Sequence, residues 1–499
     1  MGKLLFWDDT SIEHRSEVMF VPHRPEKCRA NPLMAGNAFH GGPQTVMYNA
    51  QNRLFQMWYA STNAAKEPVL LCYTSKDGIT WEAPEWGVYD DTTFPNVVMK
   101  SGCPGVPHVN FNIQRIVRDE QEPDPDKRYQ MLYFDRSPET GFHGVGAAAS
   151  PDGIHWTRMN GGDFVFRGHD AFNVMVDKKN GRYNVYHIQL LTKGASPYTA
   201  HDNAPAIRRV VGLRTSGNFR DWTEHGQIIT VDGADPVDLQ HYFFSVSAYE
   251  DYYVGLLNAY YTESQVGDTV FLFSKNGVHW DKRYAGYKPE SFLPLGDEGD
   301  WDSGFLFSVQ EPVPVGDRIY FYYQAMNRPH NWIAWFENER DFLGRLSAQR
   351  QWEAKLGQRK VYEKEVIQAL YEELAARVEK RQQTEQALFI RGMGLATLRE
   401  DGFVSLTGRK GKPGLVITKP FPLGEKLFVN ADCRAGTLSA SLTDEAGNPL
   451  EGGEACHLSG HDGTRLELSW SSLPGAERAG RNVKLHLTLQ DCHLYSVVF

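Results

Sequence analysis

The chain has few cysteines, no long apolar run and no excess of positive charge, and each of these absences excludes a class of protein. Its six cysteines among 499 residues are scattered without a CxxC pair, so neither a zinc ribbon nor a dense disulfide framework fits. No apolar stretch approaches the roughly 18 residues of a membrane-spanning segment. Because 62 Asp and Glu outnumber 52 Lys and Arg, no general basic field would attract nucleic acid.

The start of the sequence also lacks the apolar segment of a secretory signal. Its apolar character is confined to Leu4, Leu5, Phe6 and Trp7, which is too short for the core of a signal peptide. We therefore expect a cytoplasmic protein with no membrane or nucleic-acid partner. The chain is instead rich in aromatic residues (12 Trp, 23 Tyr, 27 Phe) and in turn formers (46 Gly, 26 Pro), which favour β structure with many turns.

A short motif, Ser-x-Asp/Asn-Gly/Phe-x-x-Trp, recurs four times in the first three hundred residues. Asp or Asn followed by Gly makes a tight turn, because Gly tolerates positive φ and the carboxylate or carboxamide caps nearby amides. Each copy follows a strand-like run, and the spacing of about 60–75 residues suits one four-stranded propeller blade with its loops. The four copies are Ser75–Trp81, Ser150–Trp156, Ser216–Trp222 and Ser274–Trp280.

A fifth repeat is interrupted by a segment of different composition. Its first strand-like runs are Phe305–Val309 and Ile319–Tyr323, but the expected third strand and turn appear only at Gly394–Phe403. Residues 338–388 between them are rich in Glu, Lys, Arg, Gln, Ala and Leu. Apolar residues recur there at every fourth position, as in an amphipathic helix: Val366, Leu370, Leu374 and Val378. We expect a helical hairpin that makes a dimer contact or an active-site rim, with an ordinary covering helix as the alternative.

Beyond the fifth repeat, the sequence alternates apolar and polar residues with period two, as in Val483–Leu489, between turn signals. The sequence therefore predicts an all-β fold of three parts. A five-bladed β-propeller covers residues 1–337 and is closed by 389–404, a helical insertion in the fifth blade covers 338–388, and a C-terminal β-sandwich covers 405–499.

With these turns and this layout, the chain resembles the five-bladed β-propeller glycosidases of glycoside hydrolase families 32 and 43, most closely a bacterial branch with a C-terminal β-sandwich. The resemblance implies a glycoside hydrolase that cleaves a glycosidic, for example furanosidic, bond in an axial pocket with paired carboxylates. The chain departs from family 32 because Gly36–Gly42 and Pro107–Asn110 contain no acid where that family carries one. Gly168–Asp170 stands where a Glu would be expected.

Two other functions fit the same fold. A non-catalytic carbohydrate-binding propeller is favoured by the missing acids of the first two blades. A glycoside phosphorylase would need basic residues near the acids to hold phosphate, and Arg115, Arg208 and Arg209 allow this.

The starts of the innermost strands of a propeller converge on its axis, so they are the place to look for catalytic acids. In the last three predicted blades these starts carry Asp170, Asp238 and Asp302. Glycoside cleavage needs a proton donor and a second carboxylate as nucleophile or base. These three are the candidate catalytic set, without roles assigned within it, and Glu311 and Asp235 are reserves.

Histidines at the same strand starts, together with Gln240 and Trp301, are candidate sugar-binding residues. Trp332 and His330 are further candidates for stacking on a sugar face. Four imidazoles around an axis could instead ligate a metal, but no short-range ligand spacing supports this alternative, so we favour sugar binding and expect neither a metal nor a cofactor. The expected partner is a carbohydrate, with self-association through the helical insertion. The four histidines are His40, His108, His169 and His241.

Overall fold

The computed structural model describes residues 2–36, 42–101, 111, 113–136, 141–192, 202, 206–286, 290–308, 311–355, 364–470 and 480–499. Strands arranged in several sheets are the main regular structure of these residues, so the predicted all-β class is confirmed. None of the helices in the described ranges is long and apolar enough to cross a membrane.

Five short strands precede the repeats. The first three pair with strands near the C-terminus, and the other two pair with the last repeat. They are β1 (Lys3–Leu5), β2 (Ile12–Ser16), β3 (Val18–Pro22), β4 (Glu26–Lys27) and β5 (Met34–Gly36).

The first three repeats each form an antiparallel sheet in which consecutive strands pair, except that the last strand of the second sheet, β14, pairs with β12. The first sheet contains β6 (Gly42–Asn49), β7 (Leu54–Thr62), β8 (Pro68–Ser75) and β9 (Val97–Lys100). The second contains β10 (Ile113–Arg118), β11 (Tyr129–Arg136), β12 (His143–Ser150), β13 (Thr157–Arg158) and β14 (Phe166–Arg167). The third contains β15 (Phe172–Asp177), β16 (Arg182–Leu191), β17 (Arg208–Ser216) and β18 (Thr223–Ile229).

The next two repeats share one sheet. The halves of this sheet meet through a single parallel pair, Gly267 with Phe305. Strands β4 and β5 from the start of the chain complete the outer edge of the second half. The new strands are β19 (Leu239–Tyr249), β20 (Tyr252–Tyr261), β21 (Val266–Ser274), β22 (Phe305–Ser308), β23 (Val313–Val315), β24 (Arg318–Met326) and β25 (Arg391–Arg399).

Two helices, α1 (Trp332–Lys355) and α2 (Lys364–Ala387), lie between β24 and β25. Helix α1 begins at Trp332, before the boundary at residue 338 that is predicted from the sequence. The sequence-based boundary falls late because the first turn of the helix is aromatic and resembles the repeats in composition. Trp332 in that turn is 3% exposed and packs against Phe389, which follows α2. The hairpin is therefore anchored at its base by aromatic contacts.

The remaining strands, together with β1, β2 and β3, form two six-stranded sheets around one apolar core. The side chains of β33 alternate strictly, with Val483, Leu485 and Leu487 fully buried, as the period-two pattern predicts. These strands are β26 (Val404–Gly408), β27 (Gly414–Thr418), β28 (Phe421–Pro422), β29 (Leu427–Asp432), β30 (Thr437–Thr443), β31 (Cys456–Ser459), β32 (Asp462–Leu468), β33 (Asn482–Gln490) and β34 (His493–Val498).

The chain up to Glu26 belongs to this C-terminal unit, whereas the sequence-based division assigns it to the repeats. Strands β1 and β3 enter one of the two sheets and β2 enters the other. The reason is pairing: Leu4 is the partner of Val497, and Leu406 is the partner of Phe20. Such pairing between distant short strands leaves no periodic signal in the sequence.

The Ser-x-Asp-Gly motif forms the tight turn that its residue types predict. In the first copy, Ser75 Oγ accepts a hydrogen bond from the amide of Gly78 (2.8 Å). Asp77 Oδ1 accepts from the amides of Ile79 and Thr80 (2.8 Å each). The second and fourth copies repeat the serine contact at 2.9 Å, so the motif is a self-contained cap of the turn.

The same turns also tie successive repeats together, through an arrangement that we call the turn lock. An aromatic side chain on one repeat donates a hydrogen bond to the backbone carbonyl of the glycine in another repeat's turn. The last repeat is linked to the first in this way. The three pairs are Trp58 Nε1 to Gly153 (2.7 Å), Tyr186 OH to Gly277 (3.0 Å) and Tyr322 OH to Gly78 (2.9 Å).

Glycine is required at the turn lock for two separable reasons. Gly153 has φ of +78°, and a Cβ there would lie 2.6 Å from Cζ2 of Trp58. Gly181, in the turn between β15 and β16 and outside the turn lock, is the control: it has φ of +60°, and a Cβ there would have no other atom within 4 Å. We expect Gly181→Ala to lower the free energy of unfolding by about 1 kcal/mol through backbone strain alone. Gly153→Ala should lose about 1–3 kcal/mol more through overpacking.

Urea-induced unfolding followed by tryptophan fluorescence measures both variants. Equal losses for Gly153→Ala and Gly181→Ala would contradict the steric part of the turn lock.

Candidate functional site

The first strands of successive repeats lie against one another: β6 contacts β10, β10 contacts β15, β15 contacts β19, and β19 contacts β22. Their side chains meet between repeats. Arg115 donates from Nη1 to Oε1 of Gln44 (2.8 Å), and its guanidinium lies 5.9 Å from the ring centroid of Phe243. Asn173 donates to the hydroxyl of Ser245 (2.7 Å). These strands therefore gather polar side chains from distant parts of the chain.

A buried arginine is the centre of the candidate site. Arg209 is 2% exposed, and its guanidinium makes two hydrogen bonds to the carboxylate of Asp202 (2.9 and 3.1 Å). Tyr260 OH donates to the same carboxylate (3.0 Å). The guanidinium also lies 5.2 Å from the ring centroids of Tyr242 and Tyr260. Arg209 is thus held in one orientation by a carboxylate and two aromatic rings.

Gln240 is predicted from the sequence to bind a sugar, but in the structure its side chain holds Arg209 in position. It is 1% exposed, and its Oε1 accepts from Nη1 (2.7 Å) and the amide of Arg209 (3.1 Å). Its Nε2 donates to the carbonyl of Ile207 (2.8 Å). With these bonds made and almost no exposure, the amide of Gln240 is not open to a ligand.

Asp170 lies beside this cluster at the start of β15. Its side chain is half-buried, and desolvation raises the pKa of its carboxyl, although the charges of His169 and Arg209 oppose the rise. The proximity is reciprocal, because Asp170 also helps to raise the pKa of Tyr242, after burial. A carboxyl with a raised pKa and partial access has the properties of a proton donor.

His330 and Arg391 flank the helical hairpin and complete the cluster. Burial lowers the pKa of His330 to about 3, and the charges of Arg209 and Arg391 act in the same direction. The ring of His330 lies 5.2 Å from that of Tyr242 and 5.0 Å from that of Phe305. Burial lowers the pKa of Arg391 to about 10. The imidazole is therefore neutral at ordinary pH while both guanidinium groups remain charged.

The other two predicted catalytic acids make contacts with residues outside this cluster. Asp302 is 3% exposed, and its Oδ2 accepts from Nζ of Lys27 (2.7 Å) and from the hydroxyl of Tyr323 (3.0 Å). Asp238 is half-buried, and its Oδ2 accepts from the amide of Glu263 (3.3 Å). The contacts that the structure describes for Asp170, Asp238 and Asp302 share no residue.

The predicted sugar-binding residues are distributed over several environments. His169 is exposed next to Asp170. His241 is fully buried, and burial lowers its pKa to about 4, so we reassign it from sugar binding to packing. Trp301 stacks on Tyr323 at 5.7 Å, beside Asp302 rather than Asp170. His40 and His108 lie outside the described residues.

Two residues of the cluster escaped the sequence-based prediction, Asp202 and Arg391. Asp202 lies in the connection between β16 and β17, where no motif points to it. Arg391 begins β25, and this position at a strand start would have been the available signal. Across the ranges that the structure covers, no group of three or more His, Cys, Asp or Glu side chains is placed to hold a metal ion.

No family model and no curated protein matches the chain. Among solved structures, it is similar to a glycoside hydrolase at 13% identity, covering 64% of this chain and 90% of that one with a TM-score of 0.42. A thermostable family-43 glycoside hydrolase matches at 12% identity, 59% and 87% coverage and a TM-score of 0.39.

A third similar structure comes from the GH130 family of mannoside phosphorylases, which contains glycoside hydrolases that target β-1,2 mannosidic linkages in Candida mannan. It matches at 15% identity, covering 62% of this chain and 92% of that one, with a TM-score of 0.40. Because these likenesses are distant, we argue function from the side chains described above.

The buried pair of Asp202 and Arg209 should be the most costly ion pair of the cluster to break. Asp202→Asn leaves the guanidinium buried without its counter-charge, and we expect a loss of about 3–5 kcal/mol in the free energy of unfolding. Glu120→Gln is the matched control, because Glu120 pairs with Arg118 and Arg128 at the surface, where such pairs contribute less than about 1 kcal/mol. Urea-induced unfolding measures both, and similar losses would contradict this account of Arg209.

Proposed function

We propose that the chain cleaves a glycosidic bond with Asp170 as the proton donor. The observation that carries this proposal is the raised pKa of a half-buried carboxyl at the start of a first strand. Protonated Asp170 would deliver its proton to the leaving oxygen of the glycoside. Arg209 is close enough for its charge to act on Asp170, and His330, a neutral imidazole beside Tyr242, could donate a hydrogen bond to a hydroxyl group of a sugar.

A glycosidase needs a second carboxylate, and Asp238 is our candidate. Within the described part of the chain, its side chain accepts one hydrogen bond, from the amide of Glu263, so it keeps capacity to act on a water or a sugar carbon. Asp302 is a weaker candidate, because Lys27 neutralises its charge.

We also propose that the repeats form a five-bladed β-propeller with the helices inserted in the last blade. The contacts between consecutive first strands support this arrangement. The turn lock from Tyr322 to Gly78 supports closure of the ring, because it joins the last repeat to the first.

Phosphorolysis is a second candidate function, and Arg115 favours it. Arg115 is 6% exposed, and within the described residues its Nη1 donates only to neutral oxygens, those of Gln44 and the carbonyl of Gln114. Burial lowers its pKa to about 10. A buried cation without a counter-charge is costly, and a bound phosphate would supply that charge. In this case the product would be a sugar phosphate instead of a free sugar.

Asp170→Asn should abolish cleavage in a screen of nitrophenyl glycosides and furanoside oligosaccharides, with and without orthophosphate, while leaving the melting temperature nearly unchanged. Asp163→Asn, at an exposed carboxyl nearby in the chain, is the matched control and should keep full activity. Because the acid form is the active one and its pKa is raised, activity should persist above the ordinary aspartate range and fall as pH rises through that pKa. Full activity of Asp170→Asn would contradict the assignment.

We propose, further, that the hairpin of α1 and α2 joins two copies of the chain. Large apolar side chains are exposed on it, among them Phe342 (56%) and Leu370 (51%). Replacing both with Lys should reduce the mass measured by light scattering from a dimer to a monomer. Val237→Lys, at a side chain that is 72% exposed outside the helices, should leave the mass unchanged. A monomeric parent protein would refute the proposal.

A further inference from the structure

A cavity of about 590 Å³ lies at the base of the hairpin, between the first turns of α1 and the last turns of α2. Its volume falls in the range of small-molecule sites, about 300–1,000 Å³. Trp332, Trp335 and Phe336 line one side, and Lys380 and Thr384 lie on the other. None of these residues belongs to the catalytic cluster proposed above.

The aromatic side of the cavity offers a flat apolar surface. Trp335 is 37% exposed, so part of its indole is open to a ligand. Trp332 lines the same side and is 3% exposed, so it contributes the buried base of this surface.

The opposite side of the cavity leaves one positive charge uncompensated. Lys380 is exposed and has no carboxylate within ion-pair distance in the described ranges. The other three basic side chains that line the cavity are paired with carboxylates: Arg328 with Glu385, Arg377 with Glu373 and Arg381 with Glu339. Within the described part of the chain, the cavity therefore combines an aromatic face with a single free cation.

We propose that this cavity binds an acidic sugar residue, such as a uronic acid unit of an oligosaccharide. The apolar face of the ring would stack on Trp335, and the carboxylate would pair with Lys380. The proposal rests on the proposed function for its choice of a sugar, because an aromatic face and one cation would also suit an aromatic acid.

The cavity and the proposed catalytic cluster share one cluster of packed aromatic side chains. Trp332 packs in one apolar cluster with Tyr242 and Tyr260, the two rings that hold Arg209. It also follows His330 by two residues. A sugar in the cavity would therefore lie against the same aromatic cluster that holds Arg209.

The test uses the full chain carrying Asp170→Asn, so that no turnover disturbs binding. Digalacturonate is the acidic probe, lactose is its neutral counterpart and benzoate is the aromatic acid, each titrated by calorimetry. We expect digalacturonate to bind, more weakly as salt is raised, and the other two to bind at least about tenfold more weakly.

Two substitutions in the cavity should each weaken digalacturonate binding about tenfold, Trp335→Ala and Lys380→Gln. Their matched controls are Trp352→Ala and Arg345→Gln, at exposed positions of α1 that do not line the cavity. Both controls should bind as the parent does, and all four variants should keep its melting temperature.

Absence of digalacturonate binding, equal binding of lactose, tighter binding of benzoate, or equal losses in variants and controls would each overturn the proposal. These outcomes are separate from failure of the proposed function, because binding is read without turnover and activity is read in the unmodified chain.

Discussion

The turn lock is the constraint on which the repeat unit depends. A four-residue turn presents its glycine carbonyl outward, and an indole or phenol from another repeat donates to it. The serine and aspartate side chains of the motif accept hydrogen bonds from backbone amides of the turn. These bonds fix the position of the glycine carbonyl that accepts the indole or phenol donor. The same residues thereby end one strand and join its sheet to that of another repeat.

Fixed orientation of the sheets is what assembles the candidate site. Asp170, Arg209 and Arg391 come from different strands and are far apart in the sequence, yet the charges of the two arginines reach His330 and that of Arg209 reaches Asp170. Burial raises the pKa of the Asp170 carboxyl. The guanidinium groups stay charged despite their burial, Arg209 because it pairs with Asp202 and Arg391 because its pKa of about 10 is still high. A carboxyl with a raised pKa and charged guanidinium groups thus come together without any short catalytic motif in the sequence.

Local sequence patterns predict the turns, the fold class and the position of one residue of the candidate site. The tight turns, the all-β class and the position of Asp170 at a strand start follow from residue types at fixed spacing. What the sequence could not show is pairing between distant segments. Lys27 forms an ion pair with Asp302, and no local pattern of residues predicts a contact between segments so far apart in the sequence. Likewise, Cys433 and Cys492 have sulfur atoms only 2.6 Å apart, although the cysteines look scattered along the chain.

The central claim is that burial beside Arg209 leaves Asp170 with a raised pKa. Titration of the ¹³C-labelled carboxyl of Asp170 by NMR, assigned by difference from Asp170→Asn, measures this directly. The account predicts a pKa clearly above 3.8, the ordinary value for this side chain. A pKa at or below 3.8 would contradict it, because a carboxyl that is ionised at every working pH has no proton to give.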